Sequence, residues 1–208
     1  MYQEADNKLT KASVDLMRHE ETRAYIGVMR MGKVSIVDNI RTACTDGVNE
    51  KYSMDFIMKL PLPEMRGVRL HEVLHKALKH TVRCLPYWRK NPKLANIAAD
   101  YVVNDVIMNL KDKAFIKLPD CALYDPQFHD WSFPEIYRHL EKEEQEGDKG
   151  GKRRRGSGRG DPLDEHDMSG SEEMSAEEIK QHIDEVNEAI RQGEMIAGRF
   201  GKTLPRAI

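Results

Sequence analysis

Apolar residues recur at helical spacing through one long segment near the middle of the chain. They are Val68, Leu70, Val73, Leu74, Ala77, Leu78 and Val82. Gly67 precedes this segment and Pro86 follows it, and neither residue type interrupts positions 68–85. A period near 3.6 residues, bounded in this way, predicts a continuous amphipathic helix of about five turns.

Similar patterns predict the elements on either side of this central helix. Further helices are predicted at residues 9–22, 92–110 and 133–144. Two short strands are predicted at 25–29 and 34–38, with Gly32 between them, and residues 118–131 are expected to form a loop. Strands that come first and helices that follow indicate the α+β class, with a small N-terminal sheet and the central helix packed on a second helix.

The composition of the chain changes near residue 145. Residues 145–174 are rich in charge and glycine and offer almost no side chain that could build a core, which predicts a flexible linker. We therefore expect a main domain at 1–144, a linker at 145–174 and a C-terminal helical appendage at 175–208.

The C-terminal segment begins with a predicted helix at 175–197. Ser175 is its expected N-cap, and Glu178 would complete a capping box. The helix carries an apolar stripe formed by Ile179, Ile183, Val186 and Ile190. Such a stripe must pack on the main domain, on a second copy of the chain or on a protein partner.

Charge and cysteine content narrow the class of protein. The 33 basic and 35 acidic residues nearly cancel, so no global field favours nucleic acid or a membrane. No apolar segment approaches the length of a membrane span, and no signal peptide is visible. The three widely spaced cysteines are typical of reduced thiols, so we expect a cytoplasmic protein. The basic run at 152–155 is flanked by acidic residues, which favours a solvated linker over a nucleic-acid contact.

The central helix carries the residues with the clearest chemistry, His71, Glu72 and His75. Residues four apart share a helix face, so the two imidazoles can bind one Zn²⁺ ion while Glu72 takes a proton from water. The ordinary alternative is an amphipathic helix with polar histidines. A glutamate beside two such histidines is, however, poor core material unless something pairs with it.

Asp100 is the preferred third metal ligand. It lies on a polar stripe with Asn96 and Asn104, on a predicted helix that is otherwise largely apolar. A carboxylate in apolar surroundings is costly unless a cation or strong donors pair with it, and a metal shared between two helices would meet that need. The alternative is that Asp100 caps a helix or pairs with Arg69 or Arg83.

His80 is the other candidate for the third ligand, but it lies about 180° from His71 on a continuous helix. We therefore expect it beside a ligand or at the surface. Asp105 is expected to be a solvated charge. The weaker candidates are His129 and His139 as ligands, Tyr101 and Tyr137 as oxyanion donors, and the acidic group Asp164, Glu165, His166 and Asp167 as a weak metal site.

Five sequence blocks, taken in order, resemble a known family. They are TACTDGVNEKYSMDFIMKL from Thr42, HEVLHKALKH from His71, NIAADYVVND from Asn96, LPDCALYDPQF from Leu118 and PEIYRHL from Pro134. This order is similar to the putative metallopeptidase domain that precedes a von Willebrand factor A-like domain in bacterial and phage proteins. The resemblance covers about residues 9–140 and continues more faintly to 204–205. The chain ends at Ile208, where longer relatives continue into the A-like domain.

The resemblance implies a zincin-like fold and a zinc-dependent peptidase that acts on a peptide or protein substrate. His71, His75 and Asp100 would then hold Zn²⁺ and Glu72 would be the general base. An edge strand at 34–38 or 40–45 would align the substrate. A His₂-carboxylate site also accepts Fe, Mn or Co. The rival hypothesis is a zinc-binding scaffold without catalysis, which contacts nucleic acid or a partner protein, the latter through the C-terminal helix. A third hypothesis is a metal-dependent hydrolase that acts on something other than peptides.

Overall fold

The structure is a computed structural model that describes residues 1–150 and 173–199 and, at 147–150, the backbone alone. The described residues form nine α-helices and three strands. The helices are α1 (Tyr2–Arg18), α2 (Ile26–Met29), α3 (Met54–Lys59), α4 (Leu62–Leu78), α5 (His80–Arg83), α6 (Leu85–Lys90), α7 (Pro92–Met108), α8 (Phe133–Gly150) and α9 (Ala176–Gly198). The strands are β1 (Val34–Val37), β2 (Ala43–Thr45) and β3 (Glu50–Ser53). The predicted α+β class is confirmed.

The sheet has the strand order β1-β3-β2, with β3 in the centre. β1 runs parallel to β3 and β2 runs antiparallel to it. The central strand was not predicted, because its sequence carries charged and polar residues at most positions. Successive side chains of a strand point to opposite faces, and Glu50 and Tyr52 both point into the protein, where they are fully buried.

The predicted strand at 25–29 is wrong. A 3-10 turn at Arg23–Tyr25 leads directly into α2. Tyr25, Val28 and Met29 are all buried in the largest apolar cluster, and spacings of three and four residues bring them to one face only in a helix. A short apolar segment can form either a strand or a helix, and packing in the core selects the helix here.

The central helix differs from its prediction at both ends. α4 begins at Leu62, so Gly67 lies inside the helix, where a Cβ atom would stand 1.9 Å from the carbonyl oxygen of Lys117. The glycine thus permits close packing instead of starting the helix. α4 ends at Leu78, because Lys79 adopts a left-handed conformation with φ 60° and ψ 36°. The predicted continuity across 68–85 is therefore wrong, and α5 begins at His80.

The remaining predicted helices are present with shifted ends. α7 and α8 correspond to the predictions at 92–110 and 133–144, and α1 begins earlier than the predicted residue 9. Asn91 caps α7 by accepting a hydrogen bond from the backbone N–H of Leu94 at 3.1 Å. Residues 118–131, which the structure describes in full, contain only a 3-10 turn at Pro126–Phe128.

α4 lies at the centre of the fold and packs against α1, α2, α7, α9 and β2. Its apolar side enters the largest cluster through Leu70, Val73, Leu74 and Ala77. Val103 and Ile107 of α7 join the same cluster. The polar side of α4 is buried as well, so its charged residues must find partners within the protein.

α9 packs on the main body of the protein, which decides among the three places predicted for its apolar stripe. Val186, Ala189 and Ile190 join the largest core cluster. The predicted capping box of Ser175 and Glu178 is confirmed at its start. The basic run at 152–155, the acidic group at 164–167 and residues 200–208 lie outside the described residues. Within the described part, no helix is both long and apolar enough to cross a membrane.

Candidate metal centre

His71 and His75 on α4 meet Asp100 on α7 in the protein interior, and we call these three residues the His-His-Asp cluster. The Nε2 atoms of the two histidines are 3.0 Å apart. The Oδ1 atom of Asp100 lies 3.7 Å from His71 Nε2 and 3.6 Å from His75 Nε2. All three side chains have 0% exposure. Two ligand atoms of a tetrahedral zinc ion stand roughly 3.3 Å apart, so the donors and their spacing fit such an ion.

The amide of Asn104 fixes the protonation of His71. Its Nδ2 donates to the carbonyl oxygen of Leu123 at 2.8 Å, so its Oδ1 is the atom that lies 2.9 Å from His71 Nδ1. An amide oxygen can only accept, and His71 therefore carries its proton on Nδ1. The lone pair on His71 Nε2 then points toward Asp100 and His75, as a metal ligand requires. The sequence placed Asn104 on the polar stripe of Asp100 but gave it no role.

His80 lies behind His75. The turn at Lys79 brings the two Nδ1 atoms to 3.0 Å, on the edge of the His75 ring away from the His-His-Asp cluster. The ring of His80 is 3% exposed and meets the ring of His75 edge to face, with centroids 5.0 Å apart. The separation of about 180° that was expected from His71 is wrong, because it assumed one continuous helix.

Glu72 follows the proposed ligand His71 in α4 and interacts electrostatically with a buried ion network. It follows His71 by about 100° around α4, and its side chain is fully buried. Burial lowers the pKa of Lys76 and raises that of Tyr52, and the negative charge of Glu72 acts to raise the pKa of both groups, so both lie close enough to interact with it.

The neighbouring network is centred on Glu50 of β3, whose carboxylate pairs with two cations of α4. Arg69 Nη1 donates to Glu50 Oε2, Lys76 Nζ lies 2.5 Å from Oε1, and the Tyr52 hydroxyl donates to Oε2 at 2.5 Å. Burial by itself raises the pKa of Glu50, but the charges of Arg69 and Lys76, with the hydrogen bonds from Lys76 and Tyr52, lower it below its ordinary value. Arg69 thus pairs with Glu50, where the sequence had offered Asp100 as its partner.

The other candidate residues lie apart from the His-His-Asp cluster. Asp105 is 9% exposed and pairs with His129 at 3.1 Å, so the expectation of a solvated charge is wrong. The Asp105 carboxylate raises the pKa of His129 through a hydrogen bond and its charge, and Asp130 lies nearby. Tyr101 and Tyr137 are buried in the cluster around Trp88, and His139 pairs with Glu143 at 3.6 Å.

The His-His-Asp cluster is closed to solvent in this conformation. One surface groove of about 960 Å³ lies between α2 and α9, and another of about 370 Å³ lies between α1 and β1. Neither is lined by the cluster or by Glu72. Of the two edge strands, β2 packs against α4 but is buried along its length, and β1 is more exposed.

An α+β fold with two histidines and an aspartate buried between facing helices defines a candidate metal-binding protein. The chain also matches the family described as putative metallopeptidase domain over residues 4–206, and it belongs to that family. The resemblance drawn from the sequence blocks is thereby confirmed. No curated protein and no solved structure matches the chain.

Proposed function

We propose that the protein is a zinc-dependent metallopeptidase that hydrolyses peptide bonds in a peptide or protein substrate. His71, His75 and Asp100 would hold the zinc ion, and Glu72 would be the general base. The observation that carries this proposal is the meeting of three buried ligand atoms, all within 4.8 Å of one another. The family description supports a peptidase that depends on a metal.

Zinc supplies a Lewis acid that lowers the pKa of a water ligand to about 7 and polarises the peptide carbonyl. Glu72 would accept a proton from the attacking water and pass it to the nitrogen of the leaving amine. Asn104 would hold the His71 imidazole in place through the hydrogen bond to Nδ1. Lys76 and Tyr52 lie in the field of the Glu72 carboxylate and would keep its surroundings polar.

A peptide must reach the cluster, so catalysis requires a more open conformation than this one. We propose that the fold is zincin-like and that an edge strand aligns the substrate beside α4. There are two candidates for this edge strand. β2, within the predicted segment 40–45, contacts α4. β1, within 34–38, is more exposed than β2 and therefore easier for a substrate to reach. The three cysteines are thiols, which supports a reducing compartment, and we propose the cytoplasm.

Complete burial of the ligands favours a second candidate function, a scaffold with a structural zinc ion. Structural zinc sites are closed to solvent, as this cluster is. They nearly always use four protein ligands, however, and a set of three with one open position is typical of catalysis. In the scaffold, α9 would contact a protein partner through exposed acidic residues that line the groove between α2 and α9, namely Glu177, Asp184 and Glu188.

The decisive experiment measures zinc content and peptide hydrolysis together, on protein purified without chelator. We expect about one zinc ion per chain in the unchanged protein and in Glu72→Gln, and loss of zinc in His75→Ala and Asp100→Ala. Glu72→Gln should reduce hydrolysis about 10²- to 10⁴-fold. Glu64→Gln, in the first turn of the same helix, is the matched control and should leave both quantities unchanged. Full turnover in Glu72→Gln would remove the proposed base, and zinc without hydrolysis in the unchanged protein would favour the scaffold.

A further inference from the structure

The chemistry of imidazole determines which ring donates and which accepts the hydrogen bond between His75 and His80. A neutral imidazole has one N–H and one lone pair, so two Nδ1 atoms 3.0 Å apart share a single proton, which one ring donates to the other. The Nε2 atom of His75 lies 3.0 Å from His71 Nε2, inside the His-His-Asp cluster. A histidine that offers Nε2 to a metal must carry its proton on Nδ1. His75 is then the donor, and His80 is the acceptor.

The backbone around His80 is held in place on several sides. The indole N–H of Trp88 donates to the carbonyl oxygen of His80 at 3.2 Å, and the Phe133 ring lies against the imidazole with centroids 5.8 Å apart. The next residue, Thr81, is packed so closely on Gly47 that a Cβ atom at Gly47 would stand 2.2 Å from the threonine Oγ1. These contacts fix the position from which His80 meets His75.

We propose that His80 is a positioning residue for His75 and not a metal ligand. The Nδ1 atom of neutral His80 accepts the Nδ1–H of His75 and holds the His75 ring with Nε2 toward His71 and Asp100. His80 thereby acts on His75 as Asn104 acts on His71. Such outer partners typically change metal affinity 10- to 100-fold. This inference rests on the proposed function only in that Nε2 of His75 binds the metal.

The test compares two substitutions of similar size. His80→Asn places an amide oxygen near the former Nδ1 position, and His80→Leu removes the acceptor. Zinc affinity is measured by competition with a chelating indicator, and the visible spectrum of the Co²⁺-loaded protein reports the ligand set. We expect affinity to fall 10- to 100-fold in His80→Leu and to stay within about threefold of the unchanged protein in His80→Asn. Both variants should keep the Co²⁺ spectrum.

Two outcomes of that experiment would overturn the proposal. Unchanged affinity in His80→Leu would mean that the contact positions nothing. A Co²⁺ spectrum altered in both variants would make His80 a ligand. These outcomes can be told apart from a failure of the proposed function. A protein that binds zinc but hydrolyses no peptide would contradict the proposed function, yet it would still need His80 to hold His75. An unchanged protein that binds no zinc would overturn both.

A second measurement needs no variant and therefore decides the matter even if His80→Leu fails to fold. Long-range ¹H–¹⁵N correlation spectra of the zinc-loaded protein assign the protonated nitrogen of each histidine ring. We expect protons on Nδ1 of His71 and His75 and on Nε2 of His80. A proton on Nδ1 of His80, or a metal-bound His80, would overturn the proposal.

Discussion

The Oδ1 atom of Asn104 on α7 lies 2.9 Å from the Nδ1 atom of His71 on α4. This hydrogen bond joins the two helices that carry the His-His-Asp cluster, and it sets the tautomer of one proposed ligand. The same amide donates to the carbonyl oxygen of Leu123, so the loop after α7 holds the amide in turn. The geometry of the cluster thus depends on residues that hold no metal themselves.

Asn104→Ala should lower the affinity for zinc about 10- to 100-fold, because His71 would lose the acceptor that fixes its ring. A competition assay with a chelating indicator measures this change. Asn109→Ala, at the C-cap of the same helix, is the matched control, since Asn109 bonds to Asp105 and His129, outside the cluster. Equal losses in the two variants would indicate general damage to α7.

Zinc should raise the melting temperature of the protein, because a ligand that binds only the folded state stabilises it. At a free concentration one hundred times the dissociation constant, this stabilisation is about 2.7 kcal/mol, which corresponds to roughly 5–10 °C for a protein of this size. Calorimetry with zinc and after chelation measures the shift. His75→Ala should abolish it and His129→Ala should keep it. The reverse result would move the metal to the group of Asp105, His129 and Asp130.

Glu50→Gln should lower the free energy of unfolding at pH 7 by about 3–5 kcal/mol, because Arg69 and Lys76 would remain buried without their counter-charge. Chemical denaturation measures the loss. Glu135→Gln is the control, since that exposed carboxylate accepts hydrogen bonds from the nearby Ser132 and its removal should matter far less.

The difference between the unchanged protein and Glu50→Gln should also depend on pH. The pKa of Glu50 in the folded protein lies below its ordinary value of 4.5, so its contribution to stability is complete above that pH and is lost as pH falls through the folded-state pKa. Denaturation curves from pH 7 down to acid should therefore converge below pH 4.5. A difference that grew toward low pH would contradict an ionised Glu50.

Gly193→Ala should destabilise the protein by about 1–3 kcal/mol, because the new Cβ atom would stand 1.9 Å from the carbonyl oxygen of Ala24. Gly198→Ala in the same helix is the matched control, since a Cβ atom there meets nothing within 4 Å. Chemical denaturation of the two variants measures the difference. Equal stability would contradict the close packing of α9 on the segment before α2.

Local patterns in the sequence were sufficient for the presence of α4, α7 and α8, though not for the ends of α4, and for the capping box at Ser175. Each depends on a helical period or on a contact within four residues, and such signals need no distant partner. The same locality placed His71, Glu72 and His75 on one helix. The polar stripe on α7 pointed to Asp100, because a buried carboxylate needs a partner wherever that partner lies.

Tertiary contacts decided the features that the sequence missed. Residues 25–29 became helical because the core and α9 required Tyr25, Val28 and Met29 on one face. The sequence did not predict the strand that carries Glu50, because a buried glutamate becomes favourable there through its ion pairs with Arg69 and Lys76 of α4.

The sequence by itself therefore determined which residues could bind a metal, since ligand type and helical spacing are local properties. Only the tertiary structure decided how those residues are held. Lys79 turns out of the helix through a left-handed conformation, and that turn sets His80 behind His75. A lysine in the left-handed backbone conformation costs free energy, and so does the burial of two polar histidine rings. They persist because packing from distant parts of the chain fixes them, and no local pattern contains that information.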